Sequence, residues 1–420
     1  MAESDQTIDE RLTAAGLPGL PRRVWAEIDE AALASNLAAV RELVGPRVQL
    51  NAVIKADAYG HGLVPVARVF EAAGADRLCV ASIDEAFCLR DAGIALPILI
   101  LFAIPVGDVV RAATAGFEIV AADESTTAAT LERWLAEGPA GVELMVHIEV
   151  ETGLARAGYA PERVPHLVRR LATTPGVRLA GLWSHLARSD DQAASTAQLA
   201  VFERATQLLR EAGLPVPPRH LAATGGLFAG RVPAYEGVRV GLALYGLMPV
   251  DFPVAAGARE AAARLQPAFA LKCRPLRVEA FPAGTPVSYG GQWVSQRESR
   301  IATLPIGYGD GWARASAPLA AALVRGVRVP LVGSINMDAT MADVTDAPGV
   351  GLDDEFVLIG RQDGLQIVTN ELARARTTIP WEVVTSMAHR LPRVYHADSV
   401  LKGLRTLSGE IRAQVDVLPE

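Results

Sequence analysis

A single lysine offers the sharpest chemistry in this chain. In residues 51–62, NAVIKADAYGHG, the apolar run Ala52-Val53-Ile54 ends in Lys55, Tyr59 follows four residues later, and Gly60 and Gly62 bracket His61. The apolar run reads as a buried strand with Lys55 at its carboxyl end, the edge where α/β sheets and barrels bind ligands. Burial there disfavours the ammonium form, and a neutral amine attacks a carbonyl to give a Schiff base. The glycines allow backbone to approach a phosphate closely.

Other segments carry groups that suit the same chemistry. Glu151-Thr152-Gly153-Leu154-Ala155-Arg156 ends in a guanidinium whose planar fork suits a carboxylate. His185 ends the run Trp183-Ser184-His185, and Thr224-Gly225-Gly226 follows an apolar run, as a phosphate nest should. Arg239 opens RVGLALYG, Tyr289 sits in Val287-Ser288-Tyr289-Gly290, and Tyr308 in Pro305-Ile306-Gly307-Tyr308-Gly309-Asp310-Gly311. Met337 and Asp338 close Ser334-Ile335-Asn336-Met337-Asp338. A free phenol has a pKa of about 10, so Tyr289 serves as a base only beside cationic or hydrogen-bonding neighbours.

Taken in order from about Trp25 to Tyr395, these motifs resemble those of the alanine racemases, fold type III enzymes that use pyridoxal 5'-phosphate. The resemblance implies that Lys55 holds the cofactor and is one catalytic base, with Tyr289 the second, supplied across the interface of a homodimer. It implies cofactor binding by Tyr59, His185, Thr224, Arg239 and the backbone of Gly241 and Leu242, with Arg239 facing the pyridine nitrogen. Arg156 and the Met337 backbone would bind the substrate carboxylate, His185 and Arg156 would tune Tyr289, and Tyr308 would line the entrance corridor. Asp338 would support the Met337 segment. The expected activity is interconversion of L- and D-alanine by two-base proton transfer on the cofactor-bound substrate.

Three positions depart from that pattern. Many family members carry a carbamylated lysine where this chain has Glu149, which would supply a carboxylate to Arg156 directly. The family's Asn-Ser before the phosphate loop is Ala223-Thr224 here. A tyrosine expected before Arg390-Leu391-Pro392-Arg393 is His389. The last change leaves a serine-preferring or broader amino-acid racemase as an alternative. A non-catalytic pyridoxal phosphate-binding protein is another, opposed by the Tyr289 and Met337 motifs. A decarboxylase relative is opposed by Arg239, because such enzymes place a glutamate there.

Positioning these groups requires a particular scaffold. Apolar runs at 25–29, 49–55, 77–81, 98–102, 118–121, 143–150, 179–185, 220–223 and 237–244 alternate with helical periods such as 33–43, 63–72, 85–92 and 194–212. Strict βα alternation predicts a parallel sheet with helices outside, and eight strands close a TIM (β/α)8 barrel. The ninth run, 25–29, is spare, and the resemblance assigns it to the other domain. Beyond Met248 the pattern turns to short β-rich runs separated by glycine and proline, a mainly β domain. The expected division is an N-terminal extension at 1–23, a barrel at 24–258, a β domain at 259–405 and a tail at 406–420.

The whole chain bounds these readings. Its 420 residues are 50% hydrophobic and 21% charged, with a net charge of −7, an ordinary globular balance with no polyanion-binding bias or nucleic-acid motif. Cys79, Cys88 and Cys273 are scattered and odd in number, which suits reduced thiols rather than a disulfide framework or a metal site. The first ten residues are acidic without an apolar core, and no apolar stretch is long enough to span a bilayer, so a cytoplasmic protein without membrane contact is expected.

Overall fold

Eight of the apolar runs form parallel strands in the computed structural model, which describes residues 6–317 and 319–413. They are Gln49–Val53, Arg77–Val80, Ile98–Ile100, Phe117–Ala121, Leu144–Glu149, Val177–Trp183, Arg219–His220 and Gly237–Val240. Each pairs with the next through Arg219–His220, and Gly237–Val240 pairs back onto Gln49–Val53. Between the seventh and eighth strands, Arg239 N–H donates to the Ala222 carbonyl at 2.9 Å, and Ala223 bridges Arg239. The ring is therefore a nearly closed TIM-like barrel. Its helices present apolar stripes inward: Leu63–Ala72 buries Leu63, Val66, Ala67 and Phe70, the spacing of one helical face. This unit comprises Leu33–Ala58 and Gly62–Gln266.

The other unit comprises the chain up to Ala32, Tyr59–His61 and the chain from Pro267 onward. Most of its strands belong to one largely antiparallel sheet. The strand Val24–Asp29 runs inside that sheet, antiparallel to Phe269–Cys273 and parallel to Arg393–Ala397. Both its edges are hydrogen-bonded here, so the barrel begins past Ala32 rather than at residue 24. The helix Arg259–Arg264 stays with the barrel unit, held by a hydrogen bond from Arg264 Nη2 to Glu42 at 3.1 Å, which moves the start of the β unit from 259 to Pro267. Residues 6–23 are more than an extension. The helix Ile8–Ala14 has a capping box of Thr7 and Glu10 and packs Ile8 and Leu12 against Trp25, Val394, Leu401 and Leu404. Within the expected tail, Gly409–Arg412 pairs with Val400–Thr406, and 414–420 lie outside the described residues. Among the described residues no helix is long and apolar enough to cross a membrane. Cys79 and Cys273 are buried and Cys88 is exposed.

Candidate active site

Lys55 lies two residues past the strand Gln49–Val53 and opens a left-handed turn. Ala56, Asp57, Ala58 and Tyr59 all have φ between +52° and +56°. Non-glycine residues in this region cost on the order of 1–2 kcal/mol each and persist only where the surroundings over-determine them. Glu85 supplies part of that constraint. One of its carboxylate oxygens accepts from Ala56 N at 2.6 Å, the other from Ala81 N at 2.8 Å. Asp57 adds a bond from Leu63 N at 2.8 Å. The half-buried Lys55 ammonium lies 5.8 Å from the Phe102 ring centroid. Burial lowers its pKa, and the nearby Arg156 charge lowers it further, favouring the neutral nucleophile.

Arg239 is the end of a buried relay. Its guanidinium stacks 4.5 Å from the Trp183 ring centroid and donates to the Ser184 carbonyl at 2.6 Å, with His185 Nδ1 at 3.5 Å. Its Nη1 reaches His220 Nδ1 at 2.8 Å. His220 Nε2 lies 2.9 Å from His147 Nδ1, and His147 Nε2 lies 2.5 Å from Glu118. Arg77 closes the chain, with Nε 3.0 Å from Glu118 and Nη1 2.9 Å from Asn51 Oδ1. Burial depresses the pKa of His147 and pushes His220 far down, with Arg239 adding to the shift of His220. Burial opposes charge on Glu118 as well, but His147 and Arg77 outweigh it and lower its pKa. The ground state is thus two neutral imidazoles between a carboxylate and a guanidinium. Burial also brings Arg239 down to about 10, which leaves it a cation at neutral pH. Gly181 makes room for this arrangement, since a Cβ there would overlap His147 Nδ1.

The remaining barrel residues fall around these two. Arg156 Nη2 lies 3.4 Å from Glu149, and its guanidinium is 5.2 Å from the Phe102 centroid, so Phe102 is flanked by Arg156 and Lys55. Glu149 is buried, and burial raises its pKa against the opposing pull of Arg156. Burial first, then the Arg239, Arg156 and Lys55 charges, hold His185 at about 3. The Thr224 hydroxyl accepts from Gly241 N at 3.3 Å and Ala243 N at 3.4 Å, bringing the Thr224 and Gly241–Leu242 segments together.

Tyr59, Tyr289, Tyr308, Met337, Asp338 and His389 belong to the other unit. Tyr289 is 75% exposed, and Tyr308 and Met337 also face outward. Their loops are joined: the Ser334 hydroxyl donates to the Tyr289 carbonyl at 3.0 Å, and Tyr308 N donates to Asn336 O at 3.0 Å. Asp338 pairs with Arg390 at 2.7 Å, and His389 is exposed in the preceding turn.

Glu85, Arg77, Glu118, His147 and His220 carry no motif that announces them. Their one sequence signal is a polar residue set into or beside an apolar strand, as in MVHIEV around His147.

A parallel barrel with a partly desolvated amine just past its first strand is the architecture of an enzyme that uses amine chemistry at the barrel's carboxyl edge. Residues 28–249 match the family model described as alanine racemase, N-terminal domain, and residues 268–395 that of alanine racemase, C-terminal domain. Similar curated proteins named alanine racemase include one from Nostoc sp., 37% identical with 89% of this chain and 96% of that protein covered. Another, from Sorangium cellulosum, is 38% identical over 89% of this chain and 99% of that protein. Among solved structures, the Bacillus anthracis alanine racemase with bound L-Ala-P superposes with a TM-score of 0.84 at 30% identity, covering 93% of this chain and 99% of that one. The alanine racemase of Streptomyces coelicolor gives 0.80 at 32% identity over 89% and 98%. The chain belongs to the alanine racemase family, whose members are pyridoxal phosphate-dependent isomerases.

Proposed function

We propose that this chain racemises alanine in the cytoplasm as a homodimer, with Lys55 and Tyr289 of the partner subunit working on opposite faces of the substrate α-carbon. The donor set around Lys55 fits pyridoxal phosphate. A depressed amine pKa suits its aldehyde, and a buried guanidinium held by neutral imidazole suits an unprotonated ring nitrogen. The Thr224 hydroxyl with the Gly241 and Leu242 backbone would hold its phosphate. When bound, the cofactor supplies the electron sink for charge developing at the α-carbon.

The chain's residues do the rest. Lys55 Nζ takes or returns the α-proton on one face and the Tyr289 phenol does so on the other, since one group serves both faces of a planar centre poorly. Arg156, oriented by the Glu149 carboxylate, binds the substrate carboxylate through its planar guanidinium. His185, held neutral by burial and its cationic neighbours, accepts or donates a hydrogen bond without adding charge. Arg239, a cation at neutral pH, would weaken that sink enough to suppress side reactions that need a long-lived carbanion.

The observation that carries this reading is the half-buried Lys55 amine, depressed in pKa and set past the barrel's first strand. Borohydride reduction of the purified protein should fix the cofactor on Lys55. In deuterated water, L-alanine should lose optical rotation while its α-carbon takes up deuterium, and L-serine should react more slowly. Faster turnover of serine would shift the assignment to the broader racemase that His389 leaves open. No deuteration of either would overturn it.

A further inference from the structure

We infer that Arg22, Asp310 and Arg390 form an ion-paired clamp that positions the Tyr308 and Met337 loops and so sets the affinity for the substrate carboxylate. The inference rests on the proposed racemase reading and on the family resemblance, which implies that the Met337 backbone N–H meets that carboxylate.

The Asp310 carboxylate is fully buried and receives four donors. Arg22 grips it with both terminal nitrogens, Nη1 at 2.5 Å and Nη2 at 3.2 Å. Arg390 Nε adds a third bond at 2.8 Å, and Gly307 N a fourth at 3.1 Å. One carboxylate between two guanidiniums leaves a positive charge over, which Asp338 neutralises through Arg390 Nη2 at 2.7 Å. The same Nη2 reaches the Met337 carbonyl at 3.4 Å, while Arg22 Nη2 reaches the Pro305 carbonyl at 3.3 Å. The cluster thus holds the start of the Tyr308 loop from one side and the Met337 peptide from the other.

Backbone contacts finish the join. Gly309 N donates to Met337 O at 2.9 Å. A Cβ at Gly307 would overlap the Asn336 carbonyl, and one at Gly309 would come within 2.5 Å of Arg390 Nη2. Ser288 Oγ donates to Ser334 O at 2.6 Å, extending the same body to the loop of Tyr289. A buried ion cluster is a poor source of net stability, because desolvation offsets most of its attraction. Its bidentate, charge-assisted bonds do fix geometry, and here the groups fixed are backbone atoms of outward-facing loops.

Arg22 is the informative residue to change. It precedes the first strand and is absent from the motifs that carry the chemistry. In the holoenzyme, Arg22→Ala should raise KM for alanine on the order of tenfold with kcat changed much less, the signature of lost binding shared by ground and transition states. Inhibition by propionate, which keeps the carboxylate and lacks the amine, should weaken by the same factor. Binding of ethylamine, which keeps the amine and lacks the carboxylate, should stay as in the wild type. Added guanidinium ion at millimolar concentration should restore part of the KM. Arg390→Gln, probed the same way, covers the case in which Arg22→Ala folds poorly. Unchanged KM and propionate affinity in both variants, or equal losses for propionate and ethylamine, would overturn the clamp. A wild-type protein that turns over neither alanine nor serine would instead overturn the reading beneath it.

Discussion

Arg239 donates through Nη1 to Nδ1 of His220 across 2.8 Å, and that bond settles the protonation of two imidazoles. A guanidinium only donates, so His220 Nδ1 accepts and its proton sits on Nε2. That nitrogen then donates to His147 Nδ1, and His147 donates from Nε2 to Glu118. The relay runs one way, from a cation to an anion, through neutral rings. Arg239 is thereby oriented by a partner that adds no charge.

Glu118 is the anionic end, with Arg77 and His147 both bonded to it in the barrel interior. Replacing one member of a buried ion pair costs about 3–5 kcal/mol, because the other charge is left uncompensated. Glu118→Gln should therefore lower the unfolding free energy by about 3 kcal/mol, read from urea denaturation. An unchanged midpoint would mean that the carboxylate does not balance Arg77.

His185 links stability to pH. Its folded pKa, about 3, lies below the roughly 6.5 of a free imidazole. Between those values the unfolded chain binds the proton and the folded chain does not. The contribution is therefore present above pH 6.5 and declines as pH falls toward 3. Denaturation curves at pH 7 and pH 5 should show this loss, and His185→Gln should make the dependence shallower. Equal slopes for both proteins would contradict the depressed imidazole.

Glu149 tests the departure from the family's carbamylated lysine. If its carboxylate orients Arg156 across 3.4 Å, Glu149→Gln should raise KM by about tenfold. Burial raises its pKa, so in the wild type the ionised partner is lost as pH falls through that raised value. KM should climb on the acid side, and the variant should flatten that limb. The same raised pKa makes the carboxylate's contribution to folding full below its unfolded value of about 4.3 and lost as pH rises through the folded one. Glu149→Gln should accordingly melt no lower than the wild type at pH 7.

Glu85 holds the strained turn after Lys55 through Ala56 N. Glu85→Ala leaves the backbone donors of Ala56, Ala81 and Ser82 without that acceptor. The expected result is slower fixation of the cofactor on Lys55 and a kcat/KM lower by about one to two orders of magnitude. Glu85→Gln, which keeps an acceptor oxygen for Ala56, should recover much of it. Wild-type behaviour in Glu85→Ala would show that the turn needs no such support.

The barrel was legible because burial on both faces of a parallel strand writes a continuous apolar run, and each run here is followed by a helical period. Val24–Asp29 shows the limit of that signal. It reads like any barrel strand, yet its partners are Phe269–Cys273 and Arg393–Ala397. Pairing at a separation of hundreds of residues leaves no local trace.

Lys55, Arg156, Arg239 and Tyr289 stand in ordered motifs, so residue type and local order were enough to nominate them, along with the family. The sequence by itself determined the chemical inventory and the alternation that builds a barrel, because both depend on neighbours along the chain. Only the tertiary structure decided how those groups are tuned. Ala56, Asp57, Ala58 and Tyr59 have no intrinsic preference for four successive left-handed conformations, and nothing around His147 or His220 in the chain predicts their junction. Such states exist because distant groups outweigh local preference, and that balance is set in three dimensions.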